Sequence, residues 1–308
     1  MTTLVKKYSN RIATFFGLLA LFLFLPSATT LAQAQSPSAR AEATASGSGD
    51  GIALAPARFE LEMSPGSETT VVVNLDYHTA QANAQPYRLV ASLNDWDMNQ
   101  NGELGFYKSG TRPNSASPWI IYSPAEVTVQ PGQTHSIRVT ITVPKDAAPG
   151  DHLAALIVEQ RPDTIKLNRN VRQMLMRFRM AAMFYIMVPQ LTRRATLENL
   201  KASVDSRGIV VTPTLKNEGN SMIRPITSLK IVDARGRTVA ELPEGESLPI
   251  LAGQQLSQPL VIEQTLAPGA YTVSYKVDFQ NGSKVTEGVT DFVVKESLAG
   301  KPAASHLQ

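Results

Sequence analysis

Short runs in which apolar and polar residues alternate dominate this sequence beyond residue 51, and they constrain the fold more than any other feature. Two examples are Arg58-Phe59-Glu60-Leu61-Glu62-Met63 and Ile137-Arg138-Val139-Thr140-Ile141-Thr142-Val143. A period of two places the apolar side chains on one face of a β-strand. Pro-Gly pairs punctuate the runs, at Pro65-Gly66, Pro131-Gly132 and Pro149-Gly150. Short strands separated by turns about every ten residues predict an all-β sandwich architecture.

The chain is long enough for two such sandwiches, and its two halves share a sequence pattern. It has 308 residues, of which 43% are apolar and 18% charged, a composition typical of globular domains. Pro149-Gly150 and Pro268-Gly269 each precede an apolar run. Tyr271, just after the second pair, resembles the tyrosine that ties a sandwich corner to its own backbone. We therefore predict two tandem immunoglobulin-like β-sandwich domains, at residues 52–190 and 196–295.

The first 34 residues are predicted to be a signal peptide. Lys6, Lys7 and Arg11 precede an apolar run, and Ala32-Gln33-Ala34 is typical of a cleavage site. The apolar run of about 14 residues is shorter than the roughly 20 that span a bilayer. Cleavage would remove three of the 29 basic residues and balance the 26 acidic ones, so the charge does not indicate nucleic-acid binding. We expect an exported chain that does not span the membrane and lies in the periplasm, with the cell surface as the alternative.

The two ends of the mature chain are predicted to lack fixed structure. Residues 35–51 are rich in Ala, Ser and Gly, which is typical of a flexible leader. Residues 296–308 are small and polar and are predicted to form a disordered tail. Between them the chain has no cysteine, which excludes disulfides, thiolate metal sites and a cysteine nucleophile.

Little in the sequence indicates catalysis or a cofactor. The four histidines lack a metal-binding spacing, and no G-x-S-x-G elbow is present. Asp97, Asn99 and Asn101-Gly102 match the start of a calcium loop, but Lys108 takes the twelfth position, where that loop needs a glutamate. Asn-Gly is also a strong hairpin signal. We predict a hairpin turn, no cofactor and no enzyme activity, and calcium binding stays an alternative.

Three segments of the first half carry specific motifs. They are Ile52 to Leu61, the block from Ser117-Pro118-Trp119 to Arg138-Val139, and Asn170 to Pro189 with its Phe184-Tyr185. Together they resemble the PapD-like periplasmic pilus (fimbrial) chaperone family over about residues 52–190. The resemblance implies a chaperone in pilus assembly that lends its last strand to an immature subunit. It implies secreted pilin-like or surface-protein subunits as partners, and an outer-membrane usher as a further one.

The strand that the resemblance makes available to a partner has a distinct pattern. Apolar side chains alternate on one face, at Met174, Met176, Phe178 and Met180, followed by Ala182 and Phe184. Methionine is flexible and polarisable, which suits a surface that fits several partners. The same alternation would also arise if the strand only packed on its own sandwich core.

The resemblance also implies a basic anchor for the terminal carboxylate of the bound subunit, made by one residue on the first strand and one on the last. Arg58 matches the first position. Near the second, Ala181, Ala182 and Met183 stand where the family has lysine, and the basic pair Arg177 and Arg179 lies a few residues earlier. A guanidinium can hold a carboxylate by two hydrogen bonds. Arg58, Arg177 and Arg179 are the anchor candidates.

The second half departs from that family and has the pattern of a more generic immunoglobulin-like module. The chain is also similar to two-sandwich surface proteins of Gram-positive bacteria, which bind peptidoglycan and WxL-domain partners. An alternative function is therefore that of a cell-envelope protein attached to the cell wall or to a surface partner.

Overall fold

The structure is a computed structural model that describes residues 39–42, 51–161 and 178–295. These residues form 19 strands and one short 3-10 helix, Ser117–Trp119. The strands of the first half are β1 (Ala39–Glu42), β2 (Gly51–Ala55), β3 (Arg58–Glu62), β4 (Glu68–His78), β5 (Tyr87–Met98), β6 (Leu104–Lys108), β7 (Ile120–Ser123), β8 (Glu126–Val129), β9 (Thr134–Thr142), β10 (Gly150–Gln160) and β11 (Arg179–Val188). Those of the second half are β12 (Ala195–Asp205), β13 (Gly208–Asn217), β14 (Ile226–Asp233), β15 (Thr238–Glu246), β16 (Gln255–Leu256), β17 (Leu260–Ile262), β18 (Gly269–Asp278) and β19 (Thr286–Val294).

The first half is a two-sheet sandwich. One sheet has the order β1-β3-β11-β10-β5-β6, with β8 also paired to β5, and the other has the order β2-β4-β9-β7. The alternating residues predicted to be apolar on one face fill the space between the sheets, including Phe59, Leu75, Val139 and Phe184. The rings of Phe59 and Phe184 stack with centroids 4.9 Å apart, which packs the neighbouring strands β3 and β11 together on the core face of their sheet.

The chain passes from one sheet to the other between β2 and β3, over the two residues 56–57. β2 pairs with β4 in one sheet, and β3 pairs with β11 in the other. Pro56 lies at the crossing. Proline has no N–H to offer a strand ladder, so a break in pairing at this position leaves no donor unsatisfied. The crossing places β3 parallel to β11, where it begins at Arg58 opposite Met183.

The second half forms its own sandwich. Its sheets have the orders β12-β13-β16, with β17 also paired to β13, and β15-β14-β18-β19. A separate apolar core that includes Val211, Ile231, Tyr275 and Phe292 lies between them. The predicted class of two tandem immunoglobulin-like β-sandwiches is thus confirmed.

The predicted tyrosine corner is also present. Tyr271 Oη donates a hydrogen bond to the Ala267 carbonyl at 2.9 Å, and β18 starts at Gly269 of the Pro-Gly pair. In the same sandwich, the buried side chain of Asn217 closes the turn after β13: its Nδ2 donates to the carbonyls of Ser221 and Ile250.

A third apolar cluster joins the two sandwiches. Trp96, Leu153, Tyr185 and their neighbours on the outer face of the β5-β10-β11 sheet contact Met222 and Leu251 of the second sandwich. Strands β10 and β11 therefore have apolar neighbours on both faces, which explains their nearly continuous apolar sequences. The contact between the sandwiches is therefore a buried apolar cluster of its own.

The residues predicted to form a flexible leader include a strand. β1 pairs antiparallel with β3, with Glu42 opposite Arg58 and Ala39 opposite Leu61. Without β1 the outer edge of β3 would be an unpaired strand edge, and pairing with this edge accounts for a strand within a segment rich in Ala, Ser and Gly. The predicted signal peptide and the predicted tail at 296–308 lie outside the described residues.

Candidate partner-binding site

Strand β11 is paired along its whole length on one side but along only part of its length on the other. β10 pairs with all of Arg179–Val188, whereas β3 pairs with Met183–Met187 alone. In the described part of the chain, no strand pairs with the second edge of residues 179–182. Such an edge is a template on which another extended chain can add. The open segment ends where β3 begins, at Arg58.

The hydrogen-bonding groups on this open edge can be assigned from the neighbouring ladder. The Met183 N–H donates to the Ala57 carbonyl at 2.8 Å and thus points towards β3. Peptide groups alternate between the two sides of a strand, so the N–H and carbonyl groups of Arg179 and Ala181 face the same side, beyond the end of β3. Those of Met180 and Ala182 face β10. The open edge therefore presents the backbone of Arg179 and Ala181.

The side chains of the segment alternate as predicted. Phe178, Met180 and Ala182 face the first core, and the Phe178 ring packs edge-on against Tyr87 with centroids 5.3 Å apart. Ala181 and Met183 face the cluster between the sandwiches. Three of the predicted partner-binding residues, Met174, Met176 and Arg177, lie outside the described residues.

Arg58 occupies the end of the open edge and takes part in an ion cluster. Its Nε lies 3.4 Å from Glu60 Oε1, and its Nη1 lies 3.4 Å from Glu246 Oε1 of the second sandwich. About a fifth of the side chain is accessible, at 19%. The predicted anchor residue is therefore at the surface, at a point where both sandwiches contribute charge.

A second guanidinium in this cluster belongs to Arg224, which is not among the residues predicted from the sequence. Its Nε donates to Glu60 Oε1 at 2.8 Å, and its Nη1 lies 3.8 Å from Glu246 Oε1. Its Cζ lies 5.3 Å from the centre of the Tyr185 ring. No sequence signal marks Arg224, because it lies outside the strands and its partners are distant in the sequence.

The charges of this cluster follow from burial and from the near neighbours. Burial disfavours the guanidinium form of Arg224, but the adjacent Tyr185 and Glu60 outweigh it and raise the pKa of Arg224 above its ordinary value. Burial also raises the pKa of the Tyr185 phenol, which is therefore neutral near pH 7. Within the part of the chain that the structure describes, this cluster brings Arg58 and Arg224 together with Glu60 and Glu246.

Arg179 is not brought together with Arg58. Its Nε lies 3.8 Å from Glu159 Oε2, and half of its side chain is exposed. It precedes Met183, the neighbour of Arg58, by four residues, which corresponds to about 13 Å along the strand. One carboxylate cannot reach both guanidiniums. The two arginines instead mark the two ends of the open edge.

Next to this cluster, a buried carboxylate joins the two sandwiches. The Asp151 N–H donates to the Asn220 carbonyl at 2.9 Å, and Asp151 Oδ2 accepts from the Met222 N–H. Burial raises the pKa of Asp151 to about 6. Asp151 Oδ1 is buried without a hydrogen-bond partner among the described residues, so the charged form is poorly stabilised there.

The residues that match a calcium loop form a hairpin turn between β5 and β6. Asn99 Oδ1 accepts from the N–H groups of Asn101 and Glu103, and Gly102 has a φ of 85°, which favours glycine. Asp97 forms an ion pair with Arg112. In the described ranges, no group of three or more His, Cys, Asp or Glu side chains is placed to hold a metal ion. These contacts are those of the predicted turn.

No helix within the described residues is long and apolar enough to cross a membrane. No family model matches the chain, and a search of curated proteins finds no match.

Solved structures from fimbrial chaperone systems are similar to this chain. A chain of the chaperone–tip adhesin complex of CFA/I fimbriae biogenesis is 10% identical, with a TM-score of 0.42, and the match covers 78% of this chain and 97% of that one. The class 5 fimbriae chaperone CfaA is 12% identical, with a TM-score of 0.40 and coverage of 80% and 100%. A chain of the CsuC–CsuE chaperone–tip adhesion subunit complex of Acinetobacter baumannii is 15% identical, with a TM-score of 0.39 and coverage of 77% and 97%. At these identities the likeness is one of fold alone.

Proposed function

We propose that this chain is a periplasmic chaperone for pilin-like subunits and that it binds an exported polypeptide by strand addition to β11. The observation that carries the proposal is the open edge at residues 179–182, which ends beside the guanidinium of Arg58. An incomplete β-subunit exposes unpaired strand edges and is prone to aggregate. A strand lent by a chaperone satisfies those backbone groups until the subunit is assembled.

The chemistry of the edge supports one orientation of the bound strand. A partner strand beside residues 179–182 would lie in line with β3 and would end where β3 begins. If it runs parallel to β11, its carboxyl end meets Arg58, and if it runs the other way, its amino end does. A guanidinium attracts the carboxylate and repels the amine. We therefore infer a parallel partner strand whose terminal carboxylate lies at Arg58.

The same geometry changes the role proposed for Arg179. About 13 Å of strand separates it from the neighbour of Arg58, so in this proposal it contacts the middle of the partner strand rather than its terminus. Donation by Met174, Met176 and Arg177, and delivery of the subunit to an outer-membrane usher, belong to the same proposal.

Replacement of Ala181 by proline tests the proposal. Proline has no N–H and removes one donor from the open edge while the ladder to β10 stays complete. We expect tagged wild-type protein isolated from periplasm to carry an exported β-rich chain, identified by mass spectrometry. The Ala181→Pro variant should lose at least about nine-tenths of that chain, as expected when a central backbone donor of a short strand pair is lost.

Ala181→Gly is the control at the same position, because it changes the side chain but keeps the N–H. It should retain the bound chain, and both variants should show the wild-type far-UV circular dichroism spectrum. An Ala181→Pro variant that is folded and still carries the same chain would contradict edge pairing. Wild-type protein that carries only glycan fragments would favour the alternative cell-wall function.

A further inference from the structure

The tripeptide Gln-Asn-Gly occurs twice in the chain, in two different structural settings. Gln100-Asn101-Gly102 lies in the turn between β5 and β6, and Gln280-Asn281-Gly282 lies in the turn between β18 and β19. Because glycine has no side chain to shield its amide nitrogen, this nitrogen can attack the side-chain carbonyl carbon of the asparagine before it. The local sequences are the same, so any difference in reactivity between the two asparagines comes from the fold.

The turn at Asn281 leaves the attacking nitrogen free and polarises the carbonyl group that it attacks. The Gly282 N–H donates no hydrogen bond within the part of the chain that the structure describes. Gly282 is exposed, and a Cβ atom added there would meet nothing within 4 Å. The Ser283 N–H donates to Asn281 Oδ1 at 3.0 Å, and this oxygen gains negative charge during the attack. A donor placed at that oxygen stabilises the charge.

The turn at Asn101 holds the corresponding nitrogen in place. The Gly102 N–H donates to the Asn99 carbonyl at 3.0 Å, so this hydrogen bond must break before the nitrogen can attack. Gly102 also lies against the second sandwich, where a Cβ atom on it would be 2.5 Å from Leu248 Cδ1. Opening this turn therefore also disturbs the contact between the sandwiches, which makes the open state rare.

The Asn281 side chain contacts the segment that joins the two sandwiches. Asn281 Nδ2 donates to the Arg193 carbonyl at 3.3 Å. The neighbouring Thr192 N–H donates to Asn220 Oδ1 at 2.6 Å. A carboxylate at position 281 would place an acceptor oxygen, in place of a donor, beside the Arg193 carbonyl, and two acceptors cannot form a hydrogen bond. Loss of the Asn281 amide would therefore remove one of the side-chain contacts that hold residues 192–193.

We propose that Asn281 is a site of spontaneous deamidation that loosens the segment joining the sandwiches, whereas the fold protects Asn101. The Gly282 nitrogen bonds to Asn281 Cγ and gives up its proton, the Cγ–Nδ2 bond breaks, and ammonia leaves a cyclic succinimide behind. Water then opens the ring. Attack of water on Cγ yields aspartate, and attack on the main-chain carbonyl yields isoaspartate. This modification does not depend on the proposed chaperone function.

Peptide mapping by mass spectrometry measures both sites in one sample of the purified protein. Trypsin cleaves after Lys276 and Lys284 and releases a peptide in which Asn281 is the sole asparagine. The folded protein is incubated in warm, mildly alkaline buffer. Asn281 should be deamidated at least about tenfold faster than Asn101, a factor that corresponds to about 1.4 kcal/mol and to the hydrogen bond that Gly102 must break. Methylation by an isoaspartyl methyltransferase identifies the isoaspartate product.

The same protein unfolded in urea is the matched control, because unfolding removes the contacts that distinguish the two turns. Asn101 and Asn281 should then react at similar rates, since both follow glutamine and precede glycine. Equal rates in the folded protein, faster reaction of Asn101, or a preference for Asn281 that persists in urea would each overturn the proposal.

The effect on the joining segment is tested with the Asn281→Asp variant, which carries the aspartate product from the start. We expect the Thr192 amide to exchange with deuterated water about fivefold faster in this variant than in the wild type, the factor for loss of about one hydrogen bond. Asn101→Asp makes the same change in the other turn and should leave the exchange of Thr192 at the wild-type rate. Equal exchange of Thr192 in Asn281→Asp and the wild type would refute the loosening.

Discussion

At the scale of single residues, two buried aspartates, Asp95 and Asp151, have pKa values that their surroundings shift in opposite directions. Asp95 is fully buried and accepts hydrogen bonds from the backbone N–H groups of Gly110, Thr111 and Arg112 and from the hydroxyls of Ser115 and Ser117. Burial alone would raise the pKa of Asp95, but these donors outweigh it and lower the pKa below the ordinary value. Asp95 is therefore charged in the folded protein and fixes the loop between β6 and β7.

Replacement of Asp95 by asparagine should destabilise the fold by about 2–4 kcal/mol, because the amide offers one acceptor oxygen and no charge to five donors. Urea unfolding followed by tryptophan fluorescence measures the loss. Asp205→Asn, at an exposed turn, should cost under about 0.5 kcal/mol. A loss below about 1 kcal/mol for Asp95→Asn would contradict this role.

Asp151 represents the opposite case, because its folded-state pKa is raised to about 6 from an ordinary value of 3.8. The folded protein favours the neutral carboxyl of Asp151. The contribution of Asp151 to the stability of the fold is therefore complete below pH 3.8, and it is lost as the pH rises through about 6. The charge of Arg193 reduces this effect and that of Glu60 increases it. Contact between the sandwiches should therefore be weaker at pH 7 than at pH 5.

Comparison with the neutral variant Asp151→Asn isolates this contribution. Between pH 4 and pH 7.5 the free energy of unfolding of the wild type should fall relative to that of Asp151→Asn by up to about 3 kcal/mol, the value for a pKa difference of roughly two units. The measurement is urea unfolding at a series of pH values. A difference between the two proteins that does not change with pH would refute the raised pKa.

At the scale of elements, β11 combines a paired and an unpaired edge in one strand. β10 covers one side along all of Arg179–Val188, and β3 covers the other side only from Met183 onwards. The reason lies in the sheet change at Pro56, which brings β3 into this sheet only at Arg58. The length of the open edge is therefore set by where the first strand crosses over.

Amide hydrogen exchange should report this asymmetry residue by residue. Met180 and Ala182 donate towards β10 and should be protected, whereas Arg179 and Ala181 face the open edge and should exchange at least about a hundredfold faster. Two-dimensional NMR after transfer into deuterated water distinguishes them. Similar protection at all four positions would mean that another part of the chain covers the edge.

At the scale of the whole molecule, the two sandwiches share a tightly fitted contact rather than a loose linker. Gly150, at the start of β10, shows how tight it is: a Cβ atom there would lie 2.7 Å from the Asn220 carbonyl oxygen of the second sandwich. Its φ of 120° is also a conformation that favours glycine. The backbones of the two sandwiches approach each other at this residue.

Replacement of Gly150 by alanine should lower the melting temperature by several degrees, because about 2–4 kcal/mol is lost through the clash and the strained backbone. Gly132→Ala is the matched control: Gly132 also has a positive φ, of 74°, but a Cβ atom added there would meet nothing within 4 Å. That change should cost only about 1 kcal/mol. Differential scanning calorimetry measures both, and equal losses would contradict the close contact.

Local patterns were enough to predict the fold class and several details of it. Period-two alternation depends only on neighbouring residues, so it identifies strands and their apolar faces, including the alternation of Phe178, Met180 and Ala182. The tyrosine corner at Tyr271 was predictable for the same reason, because its bond to Ala267 spans only four residues. The strand β1 in the predicted leader was not, since only its pairing with β3 accounts for it.

Tertiary structure alone decided which edge is open and which charges meet there. Arg58 lies 166 positions before Arg224 in the sequence, yet both contact Glu60 and Glu246. Such contacts depend on how complete sheets pair and pack, and no period in the sequence records them. For that reason the sequence alone determined the strands, their apolar faces and Arg58 as a candidate binding residue. The packing of the two sandwiches decided that the second arginine close to Arg58 is Arg224 and not Arg179.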